Sequence, residues 1–275
     1  MEKKQVTCQG IPIQYFMAGK GRPVMLLHGF GEDARIWHHL VNELKNNYLL
    51  ITPNIPGSGG TSYADKEGVT LEDYADILHE ILLKENIHTI TLLGHSMGGY
   101  ITMAMAEKHP AKLDAIGLIH SSSYADDAEK KNIRKKGIAF IQQYGAPAFI
   151  KTTIPALFKD VNKSKDDIQW LTENTKDFKD APVIQYYSAM MNRPDRSYLL
   201  SQFEKPVLFL LGQYDKVVPI SDGIDQAQMP ALSFVHILKD SAHMGMLEEK
   251  EKTYQIVKSF LDTTNQNKMY SNHHE

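Results

Sequence analysis

A single serine stands among glycines at Gly94–His95–Ser96–Met97–Gly98–Gly99. The residues before it, HTITLLG, have the apolar run of a buried strand. Those after it, as far as His109, read as a helix that stops at Pro110. A sharp strand-to-helix turn lifts a serine hydroxyl clear of its surroundings, provided its neighbours two positions away carry no bulk. The same turn sets the Met97 N–H at a helix N-terminus, facing any negative charge that forms beside Ser96. This is the chemistry of attack on a carbonyl. The phosphate-cradling patterns G-x-x-x-x-G-K-[ST] and G-x-G-x-x-G are absent.

A serine hydroxyl is a weak nucleophile, so it needs a base, and the base needs an orienting acid. Twelve histidines are available. His243 is the best placed, in a short loop after the last strand and before the last helix, where open α/β sheets build their sites. His120 ends another strand at the same sheet edge. Asp215 follows the apolar strand PVLFLLG, a position from which it serves either as the acid or as a cap for the helix after Pro219. Asp126 or Asp127, after the preceding strand, is the alternative acid. In LLHGFGED, Gly29 and Gly31 allow close backbone approach, which makes the Phe30 N–H a second donor to the same developing charge.

These residues require a sheet to hold them. Val6–Cys8 and Ile11–Phe16 read as a hairpin at one sheet edge. PVMLLHG, YLLITPNIPGSGG, HTITLLG and LDAIGLIH read as buried strands. Amphipathic helices alternate with them at Asp33–Leu44, Thr70–Glu85 and Gly98–His109, the second opening on a Thr70–Asp73 capping box. From about Tyr124 to Ser201 the chain reads as helices and loops. PVLFLLG, LSFVHIL and a closing helix at Lys250–Leu261 then restore the alternation. The expectation is a mostly parallel eight-stranded sheet with helices on both faces. Its core is residues 1–123 and 202–264, with a helical cap inserted at 124–201 and a polar, frayed tail at 265–275.

Bulk properties agree with a soluble globular chain: 275 residues, 42% hydrophobic, 23% charged and a net charge of −3. That balance does not call for nucleic acid or an anionic membrane. The basic run KKNIRKK reads as a solvated helix face. With Cys8 as the single cysteine there is no disulfide framework. The N-terminus lacks the apolar stretch of a signal peptide, and no run suits a membrane span. The expectation is a cytoplasmic protein, monomer or homodimer, acting on a small molecule without metal or cofactor.

Taken together, His28-Gly29-Phe30-Gly31, Gly94-His95-Ser96-Met97-Gly98-Gly99, Gly212-Gln213-Tyr214-Asp215 and Ser241-Ala242-His243 resemble the motifs of an α/β-hydrolase with a helical cap, in the order Ser…Asp…His. The resemblance covers about Val6 to Leu261. It implies Ser96 as nucleophile, Asp215 as orienting acid, His243 as base, and Phe30 and Met97 as oxyanion donors. It implies a serine hydrolase of an ester or thioester, with ring-fission diketone cleavage and perhydrolysis as same-site alternatives and a non-catalytic receptor as the rival. Haloalkane dehalogenases and epoxide hydrolases of the group carry aspartate where this chain has Ser96. Candidate pocket residues are His28, His95, Trp37, His120, Phe149, Phe158, Met190 and Met244.

Overall fold

The structure, a computed structural model, describes residues 1–271, and for 266–271 the backbone alone. The first hairpin pairs β1 (Glu2–Cys8) with β2 (Ile11–Ala18) through Gln9 and Gly10, both at positive φ, which suits a tight hairpin turn. β1 begins earlier than its apolar residues suggest, because an edge strand needs inward-facing side chains only at Val6 and Cys8. β3 (Arg22–Leu27), α1 (His38–Leu44), β4 (Tyr48–Pro53), α2 (Leu71–Lys84), β5 (Ile90–His95), α3 (Met97–Lys108) and β6 (Leu113–Ile119) then alternate. At the start of α2 the Thr70 and Asp73 side chains bond each other's backbone amides, as a capping box requires.

Between β6 and β7 (Val207–Gly212) the chain is helical. The segments are α4 (Ala128–Tyr144), α5 (Ala146–Thr153), a 3₁₀ turn at Ile154–Leu157, α6 (Lys165–Asn174), α7 (Asp180–Asn192) and α8 (Ser197–Gln202). The two ends of this insertion meet where the Arg196 N–H donates to the Ser123 carbonyl at 2.9 Å. The buried Arg196 guanidinium also pairs with Glu72 of α2 and Glu107 of α3, which ties the exit of the insertion to the sheet's own helices. After β7 come α9 (Ile220–Ala227), β8 (Ser233–Leu238), α10 (Gly245–Glu248) and α11 (Lys250–Ser271). The last helix runs on to Ser271 through the segment expected to fray, since no glycine or proline interrupts DTTNQNKMYS. Residues 272–275 of the expected tail lie outside the described residues.

The eight strands lie in the order β1-β2-β4-β3-β5-β6-β7-β8, with β2 alone running against the rest. β5 and β7 are buried along their whole length, as strands covered on both faces must be. The order decides where chemistry can occur. After β3 the chain goes to one side for β4 and later to the other for β5. The carboxyl ends of β3 and β5 are therefore neighbours at a topological switch point. β6, β7 and β8 follow in sequence, so the loops after β3, β5, β6, β7 and β8 all open on one edge.

Candidate active site

Ser96 sits between β5 and α3 with φ 49° and ψ −117°, a conformation that non-glycine residues rarely hold. Packing on both sides enforces it. A Cβ on Gly94 would lie 2.3 Å from backbone atoms of Gly98, one on Gly98 would lie 2.5 Å from the Leu27 carbonyl oxygen, and one on Gly99 would lie 2.2 Å from Ser121 Oγ. None of the three has a positive φ, so the glycines are needed for space rather than for their dihedral freedom. The Met97 N–H lies in the first turn of α3, where helix amides have no intrahelical acceptor. The Gly29 backbone packs against this turn, its absent Cβ leaving room 3.1 Å from Ser96 Cβ, and Phe30 follows it on the wall of the cavity.

Asp215 and His243 meet at this edge. Asp215 Oδ1 accepts the Val217 and Val218 amides at 2.8 and 3.0 Å, and Oδ2 faces His243 Nδ1 at 2.7 Å. Burial alone would raise this carboxyl, but His243 and His120 beside it hold it far below the usual carboxylate range. The His243 loop is pinned from several sides. Glu248 accepts the Ala242 amide at 2.8 Å, the Tyr214 N–H reaches the Ser241 carbonyl at 3.0 Å, and the His243 N–H donates to Leu157 of the insertion at 2.9 Å.

Ser96 and His243 line one cavity of about 740 Å³. Its wall combines sheet-edge residues with Ile150, Ile154, Leu157, Tyr187 and Met190 of the insertion. Of the candidate pocket residues, Met190 and Met244 lie on this wall, and the other six do not. His28 is buried below, its Nε2 accepting the Ile55 amide and facing Ser58 Oγ, each at 2.9 Å, so it ties the loop after β4 to the loop after β3. Trp37 packs edge-on against His95 at 6.5 Å beneath the turn. Phe149 stands behind the cavity, edge-on to Tyr187, which stacks on Phe30 at 4.4 Å. Phe158 is buried in the core at the end of the 3₁₀ turn.

The remaining two histidines serve the site from behind. His120 Nε2 accepts the Gly245 amide at 3.2 Å, so Nδ1 carries the proton, and it faces Asp215 Oδ2 at 3.5 Å. Complete burial pushes this imidazole down to about 4, which keeps it neutral. His95 places Nδ1 3.0 Å from the Glu32 carboxylate and Nε2 2.9 Å from the His243 carbonyl. Both nitrogens face acceptors, the pattern of an imidazolium. Burial lowers the His95 pKa, yet the Glu32 carboxylate outweighs it and the net shift is upward.

Sequence reading passed over Glu32, which is buried at the cavity wall and also accepts the Gly29 amide at 2.8 Å. It also took Arg134 for part of a solvated face. Lys130, Ile133 and Arg134 in fact line the cavity, on one helix face by their i, i+3, i+4 spacing. Asp126, the alternative acid, is committed to Arg134 and Arg193, and Asp127 caps α4 by accepting the Lys130 amide at 2.7 Å. Among the described residues, no group of three or more His, Cys, Asp or Glu side chains is arranged to hold a metal ion, and no helix is long and apolar enough to cross a membrane.

Known proteins share this fold. The family model of the α/β-hydrolase fold matches residues 22–136. A thermophilic esterase from Thermogutta terrifontis, solved with malate bound, superposes with a TM-score of 0.89 at 26% identity, covering 96% of this chain and 99% of that one. A pimeloyl-[acyl-carrier protein] methyl ester esterase from Legionella pneumophila is 25% identical over 88% of this chain and 96% of its own length. An (E)-2-((N-methylformamido)methylene)succinate hydrolase from Acinetobacter baylyi is 24% identical over 91% and 94%. The chain has the α/β-hydrolase fold. The protein is an enzyme of the hydrolase type.

Proposed function

We propose that the protein hydrolyses a carboxylic ester or thioester of a small to medium, mostly apolar acid through an acyl-enzyme on Ser96. Ser96 Oγ attacks the carbonyl carbon and gives its proton to His243 Nε2. Asp215, ionised, holds Nδ1–H and favours the imidazolium that forms. The Phe30 and Met97 amides take the charge on the tetrahedral oxygen. Collapse expels the alcohol or thiol, which leaves with the proton from His243. Water then gives its proton to His243, attacks the acyl group and releases the acid.

The observation that carries this reading is the 2.7 Å contact of His243 Nδ1 with Asp215, with His243 and Ser96 on the wall of one cavity. It fixes the ring by one nitrogen and leaves the other for the serine. The relatives named as ester hydrolases support the same chemistry.

The test is hydrolysis of p-nitrophenyl acetate, butyrate and octanoate. Ser96→Ala should lower kcat by about 10⁴-fold or more while the protein stays folded. A phosphonate should label the wild type and leave Ser96→Ala unlabelled. Folded wild type with no Ser96-dependent turnover of any ester would overturn the reading.

A further inference from the structure

The cavity beside Ser96 has two unlike walls. One is apolar, with Ile150, Ile154 and Leu157. The other holds a charge cluster that does not balance. The Asp126 carboxylate, with no exposed side-chain surface, faces Arg134 Nε at 2.5 Å, Arg134 Nη2 at 3.3 Å and Arg193 Nη1 at 2.8 Å. Two guanidinium groups thus share one carboxylate, and a positive charge is left over in a largely buried place. Such a charge is costly unless something answers it.

The surplus belongs to Arg134. Arg193 is spent within the fold: Nε donates to the Tyr124 carbonyl at 3.0 Å, Nη1 to the Met190 carbonyl at 2.8 Å, and the guanidinium lies 3.8 Å over the Tyr100 ring. Arg134 lines the cavity, and among the described residues its Nη1 has no hydrogen-bond partner. Nη1 is also not among the sealed polar atoms without a partner, so it keeps accessible surface. The same holds for the hydroxyls of Tyr100 and Tyr187, which share the cavity with Ser96. Among the other acids on the wall, Glu32 is held by His95 and the Gly29 amide, and Glu129 lies in the first turn of α4. Asp127 caps α4, and Asp222 lies in the first turn of α9, 3.8 Å from Lys130.

An arginine edge that shares one cavity with two phenol hydroxyls and a serine, its guanidinium 5.4 Å over the Tyr187 ring, suits a planar anion. We infer that Arg134, with Tyr100 and Tyr187, is a subsite for a carboxylate of the substrate. The preferred substrate is then the half-ester of a dicarboxylic acid, with one carboxyl esterified at Ser96 and the other ionised at Arg134. This rests on the hydrolase reading for its reaction, though not for its binding.

The experiment compares mono-p-nitrophenyl glutarate with p-nitrophenyl valerate, esters of equal chain length that differ in the terminal carboxylate. The wild type should favour the glutarate by about tenfold or more in kcat/KM. Arg134→Gln should cut that ratio by about tenfold, and Arg134→Lys, which keeps a charge without the fork, by less. The ratio is taken within each protein, so a loss of folded enzyme cancels. A wild type that prefers valerate, or an Arg134→Gln ratio equal to the wild type's, overturns the subsite. The wild-type and Arg134→Lys ratios decide the matter if Arg134→Gln does not fold. If folded wild type turns over neither ester, the hydrolase reading fails by itself, and calorimetry with glutarate on Ser96→Ala then tests the subsite. Binding that is lost on adding Arg134→Gln supports it, and no binding refutes it.

Discussion

The sheet edge and the helical insertion line the same cavity, yet they tolerate change very differently. At the edge, a methyl group on Gly94 or Gly98 would strike backbone at 2.3 and 2.5 Å. In the insertion, a methyl group on Gly137 of α4 would also arrive at 2.5 Å, but there it would meet the Tyr187 ring, a side chain. Polar groups at the edge are tied to one another, from Glu32 through His95 to the His243 carbonyl, and from Gly245 through His120 to Asp215. The cavity side of the insertion combines aliphatic and ring surface, such as Ile150, Leu157 and Tyr187, with the charged face of α4 that carries Arg134. The edge is therefore built to hold one geometry, and the insertion to shape what reaches it.

Substitution should expose this contrast. Gly98→Ala forces strand and helix backbones apart and should cost about 3 kcal/mol or more, read as a loss of soluble protein or a large fall in Tm. Gly137→Ala should cost about 1 kcal/mol and instead change the preference among ester chain lengths, as Tyr187 turns aside. Equal losses of stability from the two would break the comparison.

His120 gives the next largest effect, and its sign follows from proton binding. Unfolded, an imidazole takes a proton near pH 6.5, whereas buried His120 resists it down to about 4. Between these limits the unfolded state binds more protons, so stability declines as pH falls. The loss from this one group amounts to about 3 kcal/mol by pH 4. Denaturant unfolding at pH 7 and near pH 4.5 should show a smaller decline for His120→Gln than for the wild type. Parallel declines would mean that His120 is not held neutral. Asp215 is buried beside His120 and has a depressed pKa. Its contribution is present above the ordinary carboxylate range and is lost only in stronger acid.

The smallest change belongs to the insertion. Met190 lines the cavity from α7. Met190→Ala should leave the sheet edge intact and enlarge the cavity, raising octanoate over acetate hydrolysis by about a few-fold in kcat/KM. A drop in kcat common to all chain lengths would show that the insertion positions the edge as well as covering it.

Much of this was legible in the sequence, because it depended on local rules. Continuous apolar runs marked β5 and β7, and the capping box marked the start of α2. The glycines around Ser96 announced a close crossing. The candidate pocket was less legible. His28, His95, His120 and Trp37 sit within or next to the motif loops, and their types suggested a wall. In the fold they lie one layer below it, where each imidazole joins two segments of backbone or a carboxylate. Arg134 was hidden for the opposite reason. A run of five cations in seven residues reads as solvated, and only the face turned toward Asp126 distinguishes this one.

The sequence by itself determined the alternation of strands and helices, the strained turn at Ser96 and the order of serine, acid and histidine, since each is a matter of neighbours along the chain. Only the tertiary structure decided which charges meet. Asp126 lies eight residues from Arg134 but sixty-seven from Arg193, and His120 lies ninety-five from Asp215. Contacts at that range depend on strand order and on how α4 and α7 pack, and no local pattern records either.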